Sequence, residues 1–300
     1  MDATITRRFI VAFVMMVSLG SSTPTALAWD PAMPVADGDE PLEFRLNLLT
    51  ESSGLAFSLR NSAYVWTHND SGDLPRLFSF DEHGQPCGRL FLRGVKAIDW
   101  EDMDCFDDEG PRLLIADVGD NDNNRDSVSL YLLNEPNPTA KSRLLASLHL
   151  TVTYANGPQN CEAVAVDVHN RRILLLGKSA ILATLHEIAL PSLDEWPEES
   201  RDRKKAKHIA VKTTIVRRLP IPLATGMDIC ERTGDLWISS YLNAYQYKSA
   251  IEGDLFTRLG GMPTIVELPK LKQIEAIAID GSDRVWVSSE GLPAQMQRVK

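Results

Sequence analysis

The sequence predicts an all-β protein, a five-bladed β-propeller in which each blade has four antiparallel strands. Three observations lead to this prediction. A short motif built around an alternating apolar strand recurs five times, and further strand-like runs follow each copy. These runs are bounded by Gly, Asp, Asn and Pro. Little of the chain has the period of a long amphipathic helix.

The recurring motif predicts the innermost strand of each blade. Two copies, "CEAVAVD" from Cys161 and "IEAIAID" from Ile274, place a glutamate directly before the alternating residues. The copies are unevenly spaced, which indicates a divergent repeat with loop insertions. The other three copies are "SSGLAFS" from Ser52, "DWEDMDC" from Asp99 and "ATGMDIC" from Ala224.

The outer strands of each blade are predicted from the runs that follow the motif. The second strands are "YVWTHND", "LLIADVGD", "ILLLGKS", "DLWISSY" and "RVWVSSEG". The third strands are "RLFSFD", "SVSLYLL", "ATLHEIAL", "AYQYKS" and "AQMQRV". The fourth strands, found in four repeats, are "GRLFLRGV", "SLHLTVTY", "TIVRRLPI" and "TIVELPK".

The fifth repeat shows three strands, and an unassigned strand-like segment precedes the first motif. This segment, "EFRLNLLT" from Glu43 to Thr50, is expected to complete the last blade and so to remove two exposed sheet edges. Six blades would be the fallback if an insertion hid strands, whereas a pair of β-sandwiches would not explain the fivefold motif. The charged run "LDEWPEESRDRKKAKH" is interpreted as a solvated hairpin insertion in the third repeat.

The N-terminus has the pattern of a secretory signal peptide. Arg7 and Arg8 precede the apolar run "FIVAFVMMVSLG", and Ala26–Ala28 forms an A-x-A cleavage site. We therefore expect a signal peptide over residues 1–28, a linker over 29–42 and a single propeller domain over 43–300. An uncleaved anchor is the alternative. The mature chain is expected to be secreted or periplasmic and to have no membrane span.

Composition argues against one class of partner. The net charge is −10 and the pI is about 5.1, whereas phosphate backbones require clustered Lys and Arg, so we expect no nucleic-acid binding. We expect a monomer. The four cysteines could form disulfides in an oxidising compartment or could be buried small residues, and both readings remain open.

In a propeller, a residue that occupies one register position in every blade forms a ring around the axis. The motif predicts a ring of three carboxylates and two hydroxyls: Ser53, Glu101, Glu162, Thr225 and Glu275. Converging glutamates repel one another unless their pKa values rise, neighbours donate hydrogen bonds or a cation binds. Oxygen ligands favour a hard cation, and we predict calcium. The alternative is that each glutamate caps backbone N–H groups of the next blade.

Polar residues follow the second strands and should gather at the mouth of the channel that carries the ring. The predicted mouth residues are His68, Asn69, Asp70, Asp117, Arg125, Lys178, Tyr241 and Glu290. Asp and Asn also make tight turns, which is the alternative explanation for "NDSGD" and "GDNDNN". That alternative does not apply to Lys178 and Glu290, because a turn gains nothing from a long charged side chain.

The order Ser, Glu, Glu, Thr, Glu in the ring resembles the axial calcium ring of the calcium-activated nucleotidase (apyrase) family. Those proteins are secreted five-bladed propellers with a Ser, Glu, Glu, Ser, Glu order. The stretches "HNDSGD", "DWEDM", "IADVGDN", "EAIA" and "SSEG" resemble, more closely, a group of secreted bacterial propellers of unassigned function. The nucleotidases carry "DDRTG" where this chain has "HNDSG", so one acid and the arginine are missing.

Two function classes follow. The first is a calcium-dependent hydrolase of phosphate esters or anhydrides, in which Lys178 and Arg125 bind phosphate and Asp70 or Glu290 is the base. His68, Asn69, Asp117 and Tyr241 would complete its substrate site. The second is a propeller that binds a ligand or protein and uses calcium only for structure. A serine hydrolase is disfavoured because the chain has no G-x-S-x-G.

Overall fold

The computed structural model describes residues 40–197, 204–249 and 255–300. The predicted signal peptide and most of the predicted linker lie outside the described residues. The described chain is almost entirely β-structure and forms five sheets of mostly antiparallel strands, each built around one copy of the motif. The prediction of a five-bladed propeller is therefore confirmed.

The strands run in blade order along the chain. The first strand, β1 (Leu42–Glu43), belongs to the last blade. Blade 1 contains β2 (Gly54–Phe57), β3 (Tyr64–His68), β4 (Arg76–Asp81) and β5 (Pro86–Leu92). Blade 2 contains β6 (Trp100–Asp107), β7 (Pro111–Asp117), β8 (Val128–Asn134) and β10 (Leu148–Thr153), with β9 (Lys141–Leu144) inserted before its last strand.

The other blades follow the same plan. Blade 3 contains β11 (Cys161–Asp167), β12 (Arg172–Gly177), β13 (Ala183–Ala189) and β15 (Thr214–Leu219), with a 3-10 turn (Leu193–Glu195) and β14 (Lys207–Lys212) inserted. Blade 4 contains β16 (Ala224–Ile229), β17 (Leu236–Ser240), β18 (Asn243–Tyr247), the short helix α1 (Leu255–Arg258) and β19 (Thr264–Glu267). Blade 5 contains β20 (Ile274–Ile279), β21 (Val285–Ser289) and β22 (Gln295–Arg298).

The N-terminal strand closes the ring, as expected, but it is shorter than expected. Leu42 pairs with Met296 of β22, and the paired strand ends at Glu43 rather than at Thr50. The Phe44 N–H still donates to the Ala294 carbonyl at 2.9 Å, after which the chain turns towards blade 1. Fully buried side chains then replace strand pairing as the anchor of this segment, chiefly those of Phe44 and Leu49.

Two blades gain a fifth strand from the blade that follows them. β9, an insertion of blade 2, pairs in parallel with β5 of blade 1, and β14, an insertion of blade 3, pairs in parallel with β10 of blade 2. The charged run of the third repeat was expected to form a solvated hairpin; residues 198–203 of this run lie outside the described residues, and its described end joins β14, which is largely exposed but pairs with β10. Its β14 lies on blade 2, and Thr213 alone separates it from β15 on blade 3.

Buried carboxylates join the inner strands around the axis. The Asp102 carboxylate accepts the Val164 N–H of blade 3 at 2.8 Å, and the Asp228 carboxylate accepts the Ile279 N–H of blade 5 at 2.7 Å. Burial raises the pKa of Asp228 to about 7 and that of Asp102 well above its ordinary value. These acids therefore link neighbouring blades by hydrogen bonds, and they are either protonated or ionised at a cost in free energy.

The cysteines and the helices complete the description. All four cysteines carry free thiols: Cys161 and Cys230 are buried, and Cys87 and Cys105 are half-buried. Of the two readings left open by the sequence, the structure therefore favours small residues packed in the fold. No helix within the described ranges is long and apolar enough to span a membrane.

Candidate functional site

Four of the five ring residues lie on β-bulges. In blade 2, Trp100 pairs with Asp117 and Asp102 pairs with Ala116, so that Glu101 is the extra residue without a partner on β7. The same shift occurs in blades 3, 4 and 5, at Glu162, Thr225 and Glu275. In blade 1, Ser53 lies directly before β2. A bulge changes the direction of a side chain relative to its strand. The repeated motif is therefore a repeated bulge, and all five ring residues are buried.

One half of the ring mouth contains its own positive charge. The Lys178 ammonium lies 3.2 Å from Glu162 Oε2, donates to the Tyr241 hydroxyl at 2.9 Å and lies 4.8 Å from the centre of that ring. Tyr241 in turn donates to Glu275 Oε1 at 3.2 Å. Blades 3, 4 and 5 are thus joined by a chain of contacts from Glu162 through Lys178 and Tyr241 to Glu275.

This chain of contacts determines the charge state of its members. Burial lowers the pKa of Lys178, but the Glu162 carboxylate, the phenol of Tyr241 and the Glu275 carboxylate together raise it above its ordinary value. Lys178 therefore stays an ammonium. Burial raises the pKa of Glu275 to about 7, although Gln273 and Lys178 oppose the rise. At neutral pH, Glu275 is able to gain or lose a proton.

The other half of the ring mouth contains carboxylates for which the described residues show no ion pair, although the charge of Arg125 partly offsets the rise in the pKa of Asp99. Asp70, Asp99 and Glu101 each place one oxygen within 4.8 Å of the others. We call these three residues the acid cluster. Burial, followed by the charge of Asp70, raises the pKa of Asp99 to about 7. Burial, followed by the charge of Glu162, raises the pKa of Glu101 well above its ordinary value. The cluster is therefore costly to ionise unless a cation joins it.

Gly119 leaves room for the acid cluster. A Cβ atom at this position would lie 2.2 Å from Glu101 Oε1 and 2.4 Å from Asp99 Oδ2, so that any side chain here would displace these two carboxylates. Gly119 belongs to the stretch "IADVGDN" that follows the second strand of blade 2. The space around it and the all-oxygen donor set fit a hard divalent cation. The prediction that all five ring residues share one calcium is not tested by this geometry and stays a prediction.

Sequence reasoning missed Asp99 and Gln273. Asp99 lies inside the quoted motif "DWEDM", but its carboxylate is brought to Asp70 only by the meeting of blades 1 and 2. The Gln273 amide donates to Glu275 Oε1 at 2.7 Å and to Glu290 Oε1 at 2.6 Å. Gln273 directly precedes the fifth motif, yet nothing in the local pattern shows that it holds two carboxylates.

Two predicted mouth residues hold the chain segments that lead into the inner strands. The Asn69 side-chain oxygen accepts the N–H groups of Thr50 and Glu51 at 2.9 and 3.2 Å. The Asp117 carboxylate likewise accepts the N–H groups of Ile98 and Asp99, at 3.1 and 3.2 Å. These side chains position the mouth in two neighbouring blades, and their predicted role in binding substrate remains a prediction.

Arg125 and His68 are also engaged within the protein. The Arg125 guanidinium donates to the Gly119 carbonyl at 2.6 Å and contacts Asp117 at 2.9 Å. His68 is fully buried and donates from Nδ1 to the Asn69 carbonyl at 2.9 Å. Burial lowers the pKa of His68, so that its imidazole is neutral. Of the predicted mouth residues, Asp70, Lys178, Tyr241 and Glu290 thus lie among the ring carboxylates or their direct partners.

A cleft of about 490 Å³ lies beside Lys178, on the side of blades 2 and 3. Its polar lining includes Asn123, Asn160 and Arg218. Its apolar lining includes Ile181, which is 74% exposed. The cleft therefore combines cationic and amide donors with a small apolar surface.

Known protein structures show distant likenesses to this chain. The sequence matches no family profile and no curated protein. Among solved structures, a luciferin-regenerating enzyme matches with a TM-score of 0.48 and 11% identity, covering 87% of this chain and 95% of its own. A gluconolactonase from Xanthomonas campestris matches with a TM-score of 0.45 and 14% identity, covering 90% of this chain and 98% of its own.

A nidogen/laminin complex matches with a TM-score of 0.43 and 11% identity, covering 84% of this chain and 80% of its own. Such distant likenesses bear on the course of the backbone alone. The resemblance to the calcium-activated nucleotidases rests on the ring motif and stays an expectation.

Proposed function

We propose that the protein is an extracytoplasmic hydrolase of small phosphate esters or anhydrides and that its ring mouth holds a calcium ion. The observation that carries this proposal is the acid cluster, in which Asp70, Asp99 and Glu101 each place one oxygen within 4.8 Å of the others, with Gly119 leaving room for Asp99 and Glu101. Calcium tolerates irregular sets of carboxylate oxygens, whereas magnesium demands nearly octahedral geometry. When bound, the ion would supply positive charge to the oxygen atoms of the substrate.

The cation has a defined place within the asymmetric mouth. Glu162 forms an ion pair with Lys178 at 3.2 Å, whereas the acid cluster shows no ion pair among the described residues and is only partly offset by the charge of Arg125 on Asp99. Opposite charge nearby lowers a carboxyl pKa, so cation binding would release the protons that burial favours on Asp99 and Glu101. The calcium is therefore expected off the axis, towards blades 1 and 2.

The remaining mouth residues are suited to hold an anionic ester. Lys178 stays protonated, and it lies between the ring and the cleft that Arg218 and Asn123 line. Ammonium and guanidinium groups are the donors that bind phosphate oxygens. Lys178 would orient the anionic group of a substrate, and the cleft would receive the remainder of the molecule.

Glu290 is the proposed general base. Its carboxylate accepts a hydrogen bond from Gln273 at 2.6 Å, which fixes its position beside Glu275. It is half-buried at the mouth and so could reach a water molecule there. A general base of this kind contributes about 10²–10⁴-fold to the rate.

The test begins with calcium binding. Isothermal titration of the parent protein should show one tight site, and Asp99→Asn should weaken it. Asp122→Asn is the matched control, because Asp122 is an exposed acid in the loop between β7 and β8 of the same blade and its replacement removes the same charge. If the parent binds no calcium, or if both variants bind it equally, the metal site is wrong.

Hydrolysis is tested next with a screen for released phosphate over mono- and diesters and anhydrides. Glu290→Gln should lower kcat by about 10²–10⁴-fold and leave calcium affinity unchanged. A calcium-loaded parent that hydrolyses nothing would favour the second candidate, a binding propeller with a structural ion. The hydrogen bonds of Asn69 and Asp117 to backbone N–H groups support that candidate, because they make a rigid mouth without using catalytic groups.

A further inference from the structure

Two imidazoles lie side by side at the outer edge of blade 2. β10 and β14 pair in parallel, and His149 is directly opposite His208 in their register. The two ring centres are 5.0 Å apart, and the ring planes are inclined by 64°. His149 comes from blade 2 itself, whereas His208 comes from the strand that blade 3 contributes. The contact therefore joins two blades.

Each ring is held through one nitrogen only. His149 Nε2 lies 3.0 Å from the Ser129 hydroxyl, and His208 Nε2 lies 2.6 Å from the Thr151 hydroxyl. Within the described part of the chain, no hydrogen bond engages either Nδ1. Histidines that bind metal ions are held in the same way: one ring nitrogen binds the metal, and the other hydrogen-bonds to a neighbouring group.

The surroundings keep the pair accessible and at least one ring neutral. His208 is exposed and His149 is half-buried, so an ion can approach from solvent. Burial lowers the pKa of His149, and the neighbouring His208 lowers it further, although Asp117 opposes the shift. A neutral imidazole is the form that binds metal.

We propose that His149 and His208 bind a divalent transition-metal ion, zinc or copper, through their Nδ1 atoms and thereby fasten β14 to blade 2. Imidazole nitrogen suits these ions, whereas the oxygen ligands of the ring mouth suit calcium. Two imidazole nitrogens on one tetrahedral zinc are about 3.3 Å apart, which rings at this separation can reach. Water completes the coordination. The site is independent of the proposed hydrolase activity.

The experiment uses the full chain without an affinity tag, in excess calcium so that the acid cluster is occupied. Zinc is titrated by calorimetry, and copper is followed by electron paramagnetic resonance, in which nitrogen ligands give resolved couplings. We expect one zinc ion per chain and two nitrogen ligands on copper. His208→Asn and His149→Asn should each weaken zinc binding by at least about tenfold.

His83→Asn is the matched control, because His83 is an exposed histidine in blade 1 and should leave zinc binding unchanged. Zinc should also raise the melting temperature of the parent but not that of His208→Asn. Should either histidine variant fail to fold, Thr151→Val keeps both rings and should still weaken zinc binding by about tenfold. A parent without a zinc site, an effect of His83→Asn equal to that of His208→Asn, or copper bound by oxygen alone would each overturn the proposal.

Discussion

Closure of the ring should depend on Phe44 more than on any strand pairing that precedes it. The Phe44 ring is fully buried, lies 4.6 Å from the Phe80 ring of blade 1 and packs in one cluster with Met296 of blade 5. Replacement by alanine removes these contacts but keeps the backbone hydrogen bond to Ala294. A buried Phe→Ala change costs about 3–5 kcal/mol, which corresponds to about 6 °C or more in melting temperature for a domain of this size.

Leu48→Ala is the control for Phe44→Ala, since Leu48 is 50% exposed and lies in the same segment. It should change the free energy of unfolding by no more than about 0.5 kcal/mol. Both variants are compared with the parent by urea and thermal unfolding, followed by circular dichroism. If Phe44→Ala is no more destabilising than Leu48→Ala, the N-terminal segment does not close the ring through its buried side chains, and the reasoning fails.

Two further predictions concern buried charge. The pKa of Asp228, about 7, means that the folded protein binds a proton more tightly than the unfolded chain, so stability falls as pH rises from about 4 to 7. Asp228→Asn still accepts the Ile279 N–H but carries no charge, so in urea unfolding at pH 8 its free energy of unfolding should exceed that of the parent by about 2–4 kcal/mol. A difference between the variant and the parent that does not vary with pH would refute this prediction. Lys178→Met should tighten calcium binding by about tenfold or more in calorimetry, because Glu162 loses its cationic partner; an unchanged affinity would show that Glu162 does not act on the ion.

The recurring motif predicts much of the fold because it is a local signal. Alternating apolar residues specify a strand wherever they occur, and a polar residue in a constant place before them marks the position that later proves to be a bulge. Glu162 and Glu275 could therefore be assigned to the inner strands from the sequence. The second, third and fourth strands of each blade followed from the same periodicity.

What the sequence could not predict depends on contacts between blades. The acid cluster needs Asp70 of blade 1 beside Asp99 of blade 2, and no local sequence pattern indicates that these two residues lie close together. The sequence also predicted an even ring of five residues. Lys178 makes the mouth asymmetric because it neutralises Glu162 and leaves Glu101 without a partner of opposite charge.

The two exchanged strands constrain the order in which the protein can form as it leaves the ribosome. Blade 1 lacks its outermost strand until residues 141–144 have been made, and blade 2 lacks its own until residues 207–212 have been made. Each of these two blades is therefore complete only after part of the next blade has been synthesised. A circular permutant opened between β14 and β15 would separate β14 from its own blade while leaving it paired with blade 2, whereas one opened between blades 3 and 4 would preserve both exchanges. The first three blades are thus linked to one another by exchanged strands, whereas the N-terminal strand joins the chain's beginning to the last blade.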